Sequence, residues 1–198
     1  MNFKKDFLIE NIKNKSFYIF KDFYEKPNLV LETIINHKAQ KHKNDETNSL
    51  NGVKFLDLRH DIDLKEYHGV LNYFSNFTKR PVQSNFKSNI QKFFDKNFNN
   101  YKDNFWWPHF DEGWTAIIYL NEKNLLNIYE SDDTSYLDNE FEHHTPWKKR
   151  DNFKLIKQFD VPFNTAILFP AHKFLHGLGL EDDTYSSKLR INQAIFLN

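Results

Sequence analysis

Two stretches of this chain carry side chains that could do chemistry. The first, Asn104–Glu122, reads NFWWPHFDEGWTAIIYLNE and sets His109 and Asp111 two residues apart among aromatics. With nine histidines in 198 residues, one His-x-Asp pair is about what chance supplies, so only its context can give it meaning. In an extended strand, residues i and i+2 point to one face. His109 and Asp111 would then offer an imidazole and a carboxylate to a common metal ion. The second stretch, Phe163–Gly179, reads FNTAILFPAHKFLHGLG and supplies a distant histidine. A strand over Thr165–Phe169, a turn and then His176 would complete two His and one carboxylate, the facial set of non-heme Fe(II) oxygenases. His172 lies in the same turn and is the rival third ligand. His176 is preferred because it follows the apolar run that re-enters the sheet.

Such a metal keeps positions open for O2 and a cosubstrate. A cosubstrate carboxylate needs a fixed cation, and Arg190 stands downstream in KLRINQAIFLN. Its planar fork can pair with a carboxylate through two parallel hydrogen bonds. Asn192, at i+2, shares its face, and Lys188 is the alternative cation.

The elements that must position these groups are mostly strands. FWWPHFD, TAIIYLN, LLNIYES, TAILFPA and LRINQAIFLN are short runs rich in β-branched and aromatic residues, as sheets prefer. Earlier, SFYIF reads as a strand. Pro27 then opens an amphipathic helix carrying Leu29, Val30, Leu31, Ile34 and Ile35, and a second helix spans Leu64–Phe77. VQSNFKSNIQKFF could be a further strand, and residues 131–160 read as a polar excursion. Residues 1–80 form a helix-rich N-terminal support and 81–198 a β core, within one domain.

The order His-x-Asp, distal His and downstream Arg resembles the 2-oxoglutarate- and Fe(II)-dependent dioxygenase superfamily. Its small prolyl-4-hydroxylase-like bacterial and phage members are the nearer likeness. Tyr101, eight residues before His109, matches a tyrosine such proteins carry on the preceding strand. AIIYLNE resembles their YLN strand, whose tyrosine, here Tyr119, touches 2-oxoglutarate. The resemblance spans about residues 17–198. It implies a mainly β fold with supporting helices, the double-stranded β-helix or jelly-roll. It also implies Fe(II) on His109, Asp111 and His176, and 2-oxoglutarate on Arg190 with Tyr119, Tyr101 and Asn192 nearby. Consumption of O2, release of succinate and CO2, and hydroxylation of a peptidyl side chain, amino acid or small metabolite would follow. Two features depart from the family. Leu125-Leu126 replace its Gly-Gly pair, and KDN replaces a glycine before His-x-Asp. Asp111 stands where family halogenases carry glycine, which favours hydroxylation.

Composition weighs against other classes. The 27 basic and 27 acidic residues cancel, which argues against electrostatic binding to nucleic acid or anionic membrane. There is no cysteine, hence no disulfide or thiolate site. No signal peptide or membrane-spanning run is visible, so a cytoplasmic protein is expected. Trp106, Trp107 and Trp114 flank the metal strand as candidate pocket walls. Arg59 and His60 could reach the substrate mouth, with Asp61 or Asp63 as a helix N-cap. Glu140–His144 could belong to a lid. The competing readings are a catalytically silent jelly-roll binding module and a cupin-like metal enzyme that needs no 2-oxoglutarate.

Overall fold

The computed structural model describes residues 1–37, 40–41, 54–60, 64–83, 87–94, 101–132, 147–181, 185 and 188–198. In chain order the elements are β1 (Leu8–Ile12), β2 (Lys15–Phe20), α1 (Pro27–Asn36), β3 (Gln40–Lys41), β4 (Lys54–His60), α2 (Leu64–Thr78) and β5 (Lys87–Phe94). They continue with β6 (Asn104–His109), β7 (Trp114–Tyr119), β8 (Lys123–Glu130), β9 (Trp147–Lys149), β10 (Lys154–Pro162), β11 (Thr165–Phe169), β12 (Leu175–Leu178) and β13 (Arg190–Leu197). The larger sheet runs β1-β2-β11-β7-β13-β5-β4-β3 and the smaller β10-β8-β12-β6-β9.

The pairing defines the architecture. Fold the chain in half between β8 and β10, and each strand meets a counterpart. Antiparallel pairs form between β8 and β10, β7 and β11, β6 and β12, and β5 and β13. Successive pairs fall in the smaller, larger, smaller and larger sheet. That double wrap is a jelly-roll, the double-stranded β-helix, and the described residues are mainly β with two supporting α-helices.

Strand periodicity divides the core. In β11 every residue is buried, and alternate side chains serve opposite faces. Ile167 and Phe169 meet Phe17, Ile128 and Phe159 between the sheets. Ala166 and Leu168 face the helices, where they join Ile118, Ile191 and Ile195. Helix α1 begins at Pro27, whose fixed φ and missing N–H suit a first helical turn. It buries Val30 and Ile34 but leaves Leu29 and Ile35 exposed. Helix α2 buries Tyr67, Val70, Leu71 and Phe74, the i, i+3, i+4, i+7 stripe of a helix lying on a sheet. Among the described residues no helix is long and apolar enough to cross a membrane.

Two expectations need correction. Residues 1–80 carry both helices, but they also give the larger sheet β1 and β2 at one edge and β3 and β4 at the other. The β1–β2 hairpin turns at Lys13 and Asn14, both with positive φ, as a tight two-residue connection requires. Within 131–160, β10 starts at Lys154. It is an edge strand of the smaller sheet, so only its inner face, with Phe159 and Val161, is apolar. Lys154 and Asp160 are exposed, and Lys157, on the same face as Phe159, lays its ammonium 5.3 Å from that ring's centroid and pairs with Glu10, so scattered charge hides the alternation.

Candidate metal centre

Strand β6 ends in an irregularity that creates the site. His176 pairs with His109 and Leu178 with Trp106, so Trp107 and Pro108 together oppose Gly177 alone. The extra residue is a β-bulge, and proline, which has no N–H to give the ladder, suits it. Trp107 sits at φ 45°, a conformation rare for a bulky residue. The bulge turns the Trp107 carbonyl back onto His109, whose Nδ1 lies 2.7 Å away. Gly177 backs against it so closely that a Cβ would stand 2.6 Å from the Trp106 carbonyl oxygen.

Asp111 lies beyond the end of β6, not within an extended strand as the i, i+2 argument supposed. A loop brings it round instead. Its backbone N–H donates to Ala171 (3.4 Å), and the Thr115 hydroxyl donates to its Oδ2. Asp111 Oδ1 lies 3.7 Å from His109 Nε2, and Oδ2 lies 3.3 Å from His176 Nε2. His176 is 2% exposed, with the Phe169 ring edge-on at 5.0 Å. One ligand atom from each of the three residues falls within 4.8 Å of the others.

These three groups could hold one metal ion. The donor chemistry fits. Each imidazole turns Nδ1 to a backbone carbonyl two residues earlier, His109 to Trp107 and His176 to Phe174 (3.2 Å). With the proton held there, Nε2 presents a lone pair towards a carboxylate, an arrangement that calls for a cation between them. Without a cation between them and with both imidazoles protonated, burial works against charge on Asp111, but the hydrogen bond and charge of His176, the charge of His109 and the Thr115 hydroxyl outweigh it. They hold the carboxyl well below the usual range. His172 is not in the group. Both its N–H and its Nδ1 meet the Gly113 carbonyl at 2.9 Å, which ties the 171–173 turn to the Asp111 loop.

A cavity of about 200 Å³ leads away from the three residues. Thr115, Ile117 and Tyr119 of β7 line it, beside their register partners Phe196, Ala194 and Asn192 of β13. From Thr115 to Tyr119 the slot follows about 13 Å of strand. At its far end lies Arg190, 9% exposed. The side-chain amides of Asn192 and Asn89 meet at 2.9 Å. With its oxygen turned to Arg190, Asn192 accepts from Nη1 and Nη2 at 2.6 and 3.0 Å. The Tyr119 hydroxyl is buried, which raises its pKa, and the nearby Arg190 charge only partly offsets this.

The remaining candidates divide. Trp106 and Trp107 line the slot. Trp114 does not; it packs towards the helix side, 6.2 Å from the ring of Tyr18. Tyr101 does not line the slot either. It belongs to an aromatic cluster with Trp106, Trp107, Leu178 and Tyr185, so it backs residues that line the slot without lining it itself, and it stands in a 3-10 turn before β6. Lys188 is exposed in another groove. Strand register sets Arg59 opposite Asn89 and His60 opposite Ser88. Asp61, Asp63 and residues 140–144 lie outside the described residues. Sequence reasoning missed Thr115 and Asn89. Thr115 is four residues from Asp111 on the strand it leads into, which could have flagged it. Nothing local marks Asn89, which is found only through its register with Asn192.

No known family profile matches the chain, and no curated protein matches it. Among solved structures it is similar to a candidate oxygenase from Shewanella oneidensis, at 13% identity and TM-score 0.48, over 91% of this chain and 81% of that one. It is also similar to E. coli ycfD, at 12% identity and TM-score 0.42, over 98% of this chain and 54% of that one. Likenesses this remote carry no chemistry across. The jelly-roll assignment rests on the strand pairing itself.

Proposed function

We propose that this chain is an Fe(II)- and 2-oxoglutarate-dependent dioxygenase that hydroxylates a peptidyl side chain, an amino acid or a small metabolite. One observation carries the reading. A His–Asp–His group and a buried guanidinium line the two ends of a single slot. His109, Asp111 and His176 would hold the iron and leave positions open for O2 and cosubstrate. Iron and 2-oxoglutarate, when bound, would supply the oxidising chemistry, one oxygen atom going to the substrate and one to succinate with loss of CO2.

The chain's own residues have distinct tasks. Arg190 would pair with the far carboxylate of 2-oxoglutarate, while the Asn192 oxygen holds the guanidinium fork in place. The two backbone carbonyls behind the imidazoles keep Nε2 free for the metal. Thr115 occupies one lone pair of Asp111, which limits how that carboxylate can turn. Trp106, Ile117, Leu126 and Leu178 give the slot apolar walls that exclude water from the reacting centre.

The test is spectroscopic. Anaerobic protein loaded with Fe(II) should develop a visible charge-transfer band when 2-oxoglutarate is added. Arg190→Met should shift the titration to higher 2-oxoglutarate by about 10- to 100-fold, as loss of a charge-assisted pair implies. A folded protein that binds iron but shows no band would overturn the reading. Turnover indifferent to Arg190 would point to a cupin-like metal enzyme.

A further inference from the structure

A second hollow opens on the other side of Asp111. Gln83, Phe110, Asp111, Glu112, Phe196 and Asn198 line it, and it shares Asp111 and Phe196 with the slot. Three distant segments build its rim. The Gln83 N–H donates to the Phe196 carbonyl (2.9 Å), and the Asn198 N–H donates to that of Pro81 (3.2 Å). Gly113 lies so close to this corner that a Cβ would meet the Leu197 carbonyl oxygen, which seats the 110–113 loop on the end of β13.

Glu112 is held on this rim in an unusual way. Gln83 Nε2 and Asn198 Nδ2 both donate to its Oε2, at 3.2 and 2.8 Å. Among the described residues no group meets Oε1, and no basic side chain pairs with this carboxylate. An exposed glutamate ordinarily samples many rotamers. Here two amides fix one oxygen and leave the other facing out. Beside it stands Phe110, a ring 39% exposed.

We infer that the prime substrate enters by this hollow and carries a cationic nitrogen, an ammonium or guanidinium, that Glu112 binds. The inference rests on the dioxygenase reading only in assuming that a prime substrate exists. A pre-oriented carboxylate favours a charge-assisted hydrogen bond from a cation over any neutral donor. The face of Phe110 adds attraction for the same charge. Glu112 and Asp111 line the same small hollow, so a substrate gripped by Glu112 need extend only a few atoms to reach Asp111. That scale suits a small amine or guanidine, or one basic side chain of a peptide.

Binding of N-acetyl-L-arginine amide, N-acetyl-L-lysine amide and acetyl-Gly-Arg-Gly-amide to Zn(II)-loaded protein tests this by calorimetry, with the corresponding citrulline and norleucine amides and acetyl-Gly-citrulline-Gly-amide as neutral counterparts. At least one cationic probe should bind about tenfold or more tightly than its counterpart. Tight binding by the tripeptide alone would identify a peptide substrate, and by the single-residue amides a small molecule. Glu112→Gln keeps an acceptor for both amides and should erase the preference for charge. Equal binding of charged and neutral probes, no binding by any probe, or a preference that survives Glu112→Gln would overturn the inference. The wild-type comparison decides even if the variant does not fold. Succinate formation by the iron-loaded protein separates the two readings. A charge preference without succinate keeps the cation site and sinks the dioxygenase, whereas succinate without a charge preference does the reverse.

Discussion

Gly177→Ala probes the junction on which the candidate metal centre depends. The added methyl would stand 2.6 Å from the Trp106 carbonyl oxygen and 3.0 Å from that of Trp107. Close carbon–oxygen contacts settle at about 3.3–3.6 Å, so β6 and β12 would have to part by roughly 0.7–1 Å. Both obstacles are backbone atoms of the bulge, so no rotamer can relieve them. Overpacking of this kind costs about 1–3 kcal/mol, or roughly 2–12 °C of Tm in a chain of this size. The adjacent register pair is His176 with His109, so the two imidazoles separate as well. Disturbing the support of a ligand typically weakens metal binding about 10- to 100-fold. Thermal unfolding in chelator reads the first effect and Zn(II) titration the second. Gly69→Ala is the control. Its Cβ would meet only the edge of Phe3 at 3.6 Å, and within α2 alanine should stabilise by about 0.5–1 kcal/mol. A Gly177→Ala protein with Tm within about 1 °C of wild type and unchanged Zn(II) affinity would refute the close approach of the strands.

Thr115→Val removes the hydroxyl that donates to Asp111 and should weaken metal binding about tenfold with the fold intact, as equilibrium dialysis would reveal. His176→Ala should abolish high-affinity metal binding, while His172→Ala should lower Tm but leave affinity unchanged; the reverse pattern would exchange the third ligand. Alkaline unfolding should be steep. Burial raises the pKa of Tyr24, Tyr119 and Tyr129 above their unfolded value near 10. Their stabilisation is complete below that value and is lost as pH rises through the folded values, at about 1.4 kcal/mol per pH unit for each tyrosine. Denaturant melts at pH 9, 10 and 11 would detect this, and a flat profile would contradict it.

Legibility in the sequence followed physical rules that differ from one element to the next. Strands buried on both faces, such as TAILF at β11, announce themselves by an unbroken apolar run. The edge strands β1 and β10 mix charge among their apolar residues, at Glu10 and at Lys154, Lys157 and Asp160, which blurs the alternation. His109, Asp111 and His176 could be grouped because residue type and order suffice for a ligand set. The reason they converge was not legible. It lies in a bulge at Trp107 whose left-handed backbone no residue type signals. Tyr101 and Trp114 show the limit of position alone. An aromatic near a site in sequence faces wherever local backbone twist sends it. Asn89 depends on a cross-strand register that forms only after β5 and β13 have docked.

The nested pairing also sets an order of assembly. The β8–β10 pair closes the shortest stretch of chain, and β7–β11, β6–β12 and β5–β13 enclose it in turn. Each outer pair must close a longer loop, at greater entropic cost. The two imidazoles meet only when the third pair zips, and Arg190 takes its place only with the fourth. A folding chain that has formed the inner hairpin therefore has neither end of the slot. A metal ion held by all three ligands would recognise only a nearly finished fold, and its uptake would time the last steps of folding.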